Sequence, residues 1–349
     1  MYCRLRKGRG VPRPRVRHQL AGLCLTFCIL SLSGCLPGRA GVGPSTEPPE
    51  GAIVATPSAT PAPTPEPSPD ILLLGKNAYI DTQGLSTWAD ERSWSLDQAP
   101  VDTMEQWVSR SGLRAVILAG SEAPRQEAEL FPTAVQVIVL DGAGLEPGER
   151  LSTVGEPGAR RDQVGFLAGM MVGMATSTRS VGLLSGTGGE YEPVYRMGFI
   201  HGLRFACPRC GLVEDRADTS NPEVLEQERV DALLVLPGEG AVQAAERMMG
   251  GGIWVVWADI VPDEMSQSRL AGWVHFDATP LVIEALEAAL AGGGGAAYPY
   301  SAETSGIAFQ VSQPEAISPG RLGFIQRAWE RMEDGDLDTG VDPITGSER

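Results

Sequence analysis

The sequence predicts an α/β fold of the doubly wound kind, divided between two lobes. Three observations carry this. Six short apolar runs are continuous rather than alternating, the pattern of strands buried on both faces of a parallel sheet. Helical patterns separate them, as strand–helix–strand units require. Six or more strands are too many for one compact sheet in the ~280 residues of the folded body, so two lobes are expected.

The predicted strands are ILLLG (71–75), RAVILAG (114–120), VQVIVLD (135–141), SVGLLSG (180–186), DALLVLPG (231–238) and IWVVWAD (253–259). Several end in Gly or Asp, which suit the turn at a strand end. The predicted helices cover 101–110, 122–130, 160–178, 192–206, 239–250, 279–292 and 319–334.

Before this body comes an export address. Arg4, Arg6, Lys7, Arg9, Arg13, Arg15 and Arg17 precede the apolar run 21–34. A basic head and a short apolar core make a signal peptide over residues 1–34. The run falls short of the ~20 residues of a comfortable membrane span. It ends in Leu32-Ser33-Gly34-Cys35, which resembles the bacterial lipobox. Cys35 is therefore the expected site of cleavage and lipidation (palmitate among its chains), with an uncleaved signal anchor as the alternative. Residues 35–69 are Pro-, Ala-, Thr- and Ser-rich and cannot bury an apolar face. They read as a disordered tether reaching on the order of 100 Å at most. The expected location is the extracytoplasmic face of a bacterial cell membrane, held through the lipid on Cys35.

Charge excludes one function class. The 349 residues carry a formal net charge of −16. Residues 1–34 hold seven basic residues and no acid, leaving 21 basic against 44 acidic residues, or −23, in the rest. Such a body repels phosphate backbones, so nucleic acid is not an expected partner. With His18, His201 and His275 the only histidines, no multi-histidine metal site is expected. No cofactor is expected either. Enzyme motifs are absent: Ser185-Gly186 is not a G-x-S-x-G elbow, and H-E-x-x-H does not occur. The acidic stretch 333–338 lacks EF-hand spacing and reads as solvated charge on a tail.

Ligands of open α/β sheets bind beyond the carboxyl ends of the strands. Those ends include Gly120-Ser121, Asp141-Gly142, Gly186 in Ser-Gly-Thr-Gly-Gly, Gly238 in Pro-Gly-Glu-Gly, and Asp259. The Gly186 turn has no Walker Lys-Ser/Thr and reads as a tight turn lining a cleft.

Residues 160 to about 289 resemble the basic membrane protein family, lipoprotein substrate-binding proteins of ABC importers similar to the purine nucleoside receptor. The resemblance runs through RRDQVGFLAGMMVGMAT, SVGLLSGTGG, the helix from Pro193-Val194-Tyr195-Arg196 to Gly198-Phe199, ALLVLPGEGAVQAA and GIWVVWAD, and beyond that stretch the ending ISPGRLGFIQRAWERMEDGDLDTG also looks like the family's C-terminal helix and tail. It implies a two-lobed, type I periplasmic-binding-protein-like fold with three crossovers. Lobe 1 would be 70–157 plus about 277–300, and lobe 2 would be 158–276 plus about 301–349. It puts Asp259 on the family's ligand-binding aspartate and His275 where the family has a ribose-binding lysine. Three places depart from the family pattern. The loop after the first strand, GKNAYIDTQGLST, is shorter and different; Thr219 replaces a loop aromatic; and the helix after Pro222 is short.

Candidate ligand contacts follow. Asp259 can accept two hydroxyl hydrogen bonds or, alternatively, cap a helix. His275 is a ligand contact or a solvated strand end. Trp257 and Trp273 are ligand platforms or core. Tyr191 and Tyr195 open the helix after the glycine turn. Cys207-Pro208-Arg209-Cys210 is read as a local disulfide, with redox chemistry the alternative. The expected function is capture of a small ring-bearing, nucleoside-like molecule between the lobes for an ABC transporter permease, without catalysis. The alternative is a ligand-sensing or degenerate non-binding receptor of the same fold.

Overall fold

The computed structural model describes residues 69–349, except 121–123, 143, 186–190, 217–221 and 264. Cys35, Gly186 and Thr219, with the signal and nearly all of the tether, lie outside the described residues.

The first sheet collects β1 (Ile71–Gly75), α1 (Thr82–Glu91), β2 (Leu96–Ala99), a short α2 (Glu105–Val108), β3 (Ala115–Ala119), α3 (Pro124–Leu130), β4 (Gln136–Leu140) and β5 (Leu151–Gly155) with their helices. The chain then crosses into a second unit. This holds α4 (Arg161–Ala175), β6 (Ser180–Ser185), α5 (Glu192–Ala206), β7 (Gly211–Arg216), α6 (Pro222–Gln227), β8 (Ala232–Val235), α7 (Ala241–Gly250), β9 (Trp254–Ala258) and β10 (Leu270–Phe276). It returns through α8 (Thr279–Leu290) to β11 (Ala297–Pro299), then crosses once more to β12 (Ile307–Val311) and α9 (Pro319–Glu333).

The strand orders are β11-β5-β4-β3-β1-β2 and β12-β10-β9-β8-β6-β7. Five strands of the second sheet repeat the first with each number advanced by five, so the lobes are topological copies. All pairings between the strands named here are parallel except β10 with β12. The six apolar runs became the buried strands β1, β3, β4, β6, β8 and β9, as both-face burial requires. The strands that periodicity missed are β2, β5, β7, β10, β11 and β12. Sheet-edge strands such as LDQA and GLVEDR leave polar positions exposed and carry no continuous run. The helix expected over 101–110 shrank to a 3₁₀ turn at Val101–Thr103 followed by α2.

α4 is apolar nearly all round and is buried along most of its length. It lies against α5 at very close range. A Cβ on Gly202 would stand 2.8 Å from the Phe166 Cα, and one on Gly198 3.0 Å from the Asp162 Cα. Gly165 and Gly169 meet the α5 backbone in the same way. Side chains at these four positions would hold the helices apart. The acidic residues of 333–338 are exposed, as solvated charge should be, and the segment that follows them folds back on α4 and α5. Thr339 and Val341 are buried, and the Thr339 hydroxyl donates to the fully buried Asp162 carboxylate at 2.5 Å. Arg160 completes that acid's neutralisation with two hydrogen bonds of 2.8 and 2.9 Å. Cys207 and Cys210, just beyond α5, are joined by a disulfide.

Candidate functional site

The three crossings lie together and set the site. The first carries Glu156 and Arg161, the second Phe276 and Asp277, the third Tyr300 and Glu303. They are tied by backbone bonds: Arg160 N–H donates to Tyr300 O at 2.7 Å and Ala278 N–H to Tyr79 O at 2.8 Å. Gln163, at the start of α4, receives the Ala302 N–H at 2.9 Å and donates to Glu303. Phe276 stacks on Tyr300 with centroids 4.7 Å apart, and Tyr79 meets both rings edge-on at 5.8 Å. Arg161 pairs with Glu156, and its guanidinium lies 3.5 Å over the Tyr191 ring.

Asp141 and Asp259 occupy equivalent places, immediately beyond the third-ranked strands β4 and β9. Both have positive φ, 52° and 150°. Asp259 at 150° occupies a region that side chains rarely adopt. Its Oδ1 accepts the Ile260 N–H at 2.8 Å. The described residues between β9 and β10 form turns and loops, so Asp259 caps no helix. Burial pushes its carboxyl above the usual range, opposed by the Ile260 N–H, the neighbouring Tyr79 hydroxyl, His275 and Arg161. Asp141 is likewise raised by burial and held back by Asn77, whose amide donates to it at 2.8 Å. The Tyr300 hydroxyl is buried beside the Asp141 carboxylate.

His275 sits on β10, one residue past the Val274↔Ala258 pairing with β9, which sets it beside Asp259. Burial lowers its pKa, while Asp277 and Asp259 act in the opposite sense. Its Nδ1 is buried without a partner. His275 lines a cavity of about 260 Å³ with Ile260, Trp273 and Asp277 from the second lobe and its crossing. Ala78, Tyr79, Ile80 and Asp81, from the loop after β1, line the other side. That volume is close to the ~300 Å³ lower end of small-molecule pockets.

The sequence-predicted residues divide accordingly. Asp259 and His275 come together; His275 and Trp273 line the cavity, and Asp259 stands beside its lining residue Ile260 without lining it. Trp257 is a correction: it is 3% exposed, belongs to the core against β8 and α7, and donates its indole N–H to Ile260 O at 3.0 Å. Its pairing partner Trp273 shares that sheet face but is only half-buried, so of the two it is Trp273 that reaches the cavity. Gly238 is exposed in the turn before α7 and does not line this cavity. Tyr191 lies under Arg161, with Tyr195 one turn further along α5 and also near Arg161.

Sequence reasoning missed Tyr79, Asp141 as a functional group, Arg161 with Glu156, and Tyr300. The loop after β1 looked like a loss; it delivers Tyr79 to the Asp259 carboxylate from the opposite lobe. An apolar-polar break at Asn77–Tyr79 directly after a buried strand was the available signal.

Two solved structures share this architecture. One is an ABC transporter solute-binding protein from Conexibacter woesei, with TM-score 0.61 and 16% identity over 78% of this chain and 98% of that one. The other is a transcriptional activator of the comK gene from Bacillus halodurans, with TM-score 0.54 and 14% identity over 76% and 98%. The fold is that of type I periplasmic binding proteins, two α/β lobes built on sheets of six mostly parallel strands. At these identities the likeness is one of fold. No family model matches the chain, and no curated protein matches it. Among the described residues no helix is long and apolar enough to cross a membrane.

Proposed function

We propose that this protein is an extracytoplasmic solute-binding lipoprotein that captures a small ring-bearing molecule between its lobes for an ABC importer. The observation that carries this reading is the cavity lined from both sides, with Tyr79 on one wall, His275 on the other, and Asp259 next to both just behind the lining. A carboxylate, a phenol and an imidazole around a Trp-walled space supply fixed partners for a ligand's polar groups and a flat surface for its ring. In the finer form of the proposal the protein is a divergent member of the basic membrane protein family. Its ligand is nucleoside-like, Cys35 carries the lipid, and a permease takes the ligand over.

A second reading, a sensing or non-binding receptor, draws on the hinge. There Tyr79, Phe276 and Tyr300 fill space between the crossings with the chain's own rings. A thermal-shift screen of nucleosides, bases, riboflavin and sugars separates the two. A ligand at 100 times Kd stabilises the folded state by about 2.7 kcal/mol. Binding with no shift in the Asp259→Ala variant supports capture through Asp259, whereas a flat response across the panel favours the receptor that has lost its ligand.

A further inference from the structure

We propose that the interlobe cavity is built for a small organic cation, a ring bearing a quaternary or protonated nitrogen, in preference to a neutral or anionic analogue of the same shape. This rests on the reading of that cavity as a ligand site. Its walls carry the carboxylates Asp81 and Asp277 and no basic side chain besides His275. Asp259 stands directly behind, next to Ile260 and the Tyr79 hydroxyl. Arg161, the guanidinium that acts on Asp259, is engaged by Glu156 and by the Tyr191 ring. Lys76, the other cation of the β1 loop, is exposed and lines a different cavity with Gln98 and Val101.

The local field is therefore negative, and the −23 charge outside the signal adds to it. Two aromatic residues, Tyr79 and Trp273, border the same space, and ring faces attract a cation within about 6 Å. His275 lines the cavity from the second lobe, and a neutral imidazole there can accept a ligand N–H. An anionic ligand would face two carboxylates and no guanidinium or ammonium group among the lining residues. Asp277 and Asp81 also have structural duties, since they accept the Thr279 and Gln83 N–H groups at 2.9 and 3.1 Å. Asn at either position keeps an acceptor and removes only the charge.

The test compares 1-methylnicotinamide with nicotinamide, which differ by a methyl group and one positive charge, by calorimetric titration of the purified protein. Thiamine and choline extend the cations, and adenosine and ribose are the neutral controls. The expected result is that at least one cation binds, and that 1-methylnicotinamide binds at least about tenfold tighter than nicotinamide. Its affinity should fall as salt rises from about 0.01 to about 0.1 M, which shortens the Debye length from ~30 to ~10 Å. Asp277→Asn should remove most of the preference while leaving the unfolding midpoint within a few degrees. Equal or tighter binding of nicotinamide, adenosine or ribose overturns the cation inference and leaves the solute-binding reading standing. No heat from any of the three cations overturns it as well, and the neutral ligands then decide the broader reading on their own.

Discussion

Replacing Asp259 by glycine should give a more stable protein than replacing it by alanine, although both abolish the same carboxylate. Asp259 has φ 150°, a region that only glycine enters freely. Holding a side chain there costs about 1–3 kcal/mol. Both variants lose the hydrogen bond from the Ile260 N–H and both relieve the burial of a charge. Those contributions cancel in the comparison. Alanine keeps the strain; glycine releases it but loses ~0.5–1 kcal/mol to the freedom of the unfolded chain. The difference is about 1 kcal/mol in favour of glycine, or roughly 2–4 °C in Tm for a domain of this size. Urea unfolding with matched m-values measures it directly. Both variants should bind any ligand of the parent protein ~5- to 150-fold more weakly, the ~1–3 kcal/mol of an unsatisfied polar group. Glycine no more stable than alanine would show that the backbone at 259 relaxes without its carboxylate, and the strain would then not be a cost borne for the site. Unchanged affinity in both variants would remove Asp259 from the binding surface.

Gly202→Ala should destabilise by about 1–3 kcal/mol, because its Cβ would enter the Phe166 backbone, which cannot swing aside; Gly250→Ala at the end of α7 meets nothing within 4 Å and should be neutral or stabilising in the same urea assay. Stability should fall as pH drops from about 6.5, because burial depresses the His275 pKa and the unfolded chain takes up a proton that the folded one resists; His275→Gln should flatten that slope between pH 7 and 5.5. At lower pH the raised Asp141 and Asp259 act in the opposite sense, since the folded state then binds protons before the unfolded one does. Cys35→Ala should yield an unprocessed or soluble form on a gel of membrane and soluble fractions, and an unchanged mobility with full membrane retention would refute lipidation there.

The central strands were legible from residues 71 to 259 because burial on both faces leaves only one kind of residue acceptable. Runs such as LLL, AVILA and WVVWA are short, rich in branched residues and end at Gly or Asp, which favours a buried strand over a buried helix. The strand ends were legible too, through Gly75, Asp141 and Asp259, and with them the region where a ligand would lie. The edge strands were not, since β2 and β7 are held by backbone bonding to β1 and β6 rather than by their own apolar content. Within the site, Asp259 and His275 could be named from sequence because each ends or follows an apolar run. Their partners could not. Tyr79 reaches Asp259 from 180 positions upstream, and Tyr300 reaches Asp141 from 159 positions downstream. Such pairs exist only once three chain crossings bring the lobes together. Trp257 and Trp273 pair on neighbouring strands and share one sheet face, yet Trp257 is closed into the core while Trp273, half-buried, also borders the cavity. An apolar run marks a strand as buried; which neighbour covers each of its side chains is decided by the layers packed against it, and those layers come from distant parts of the chain.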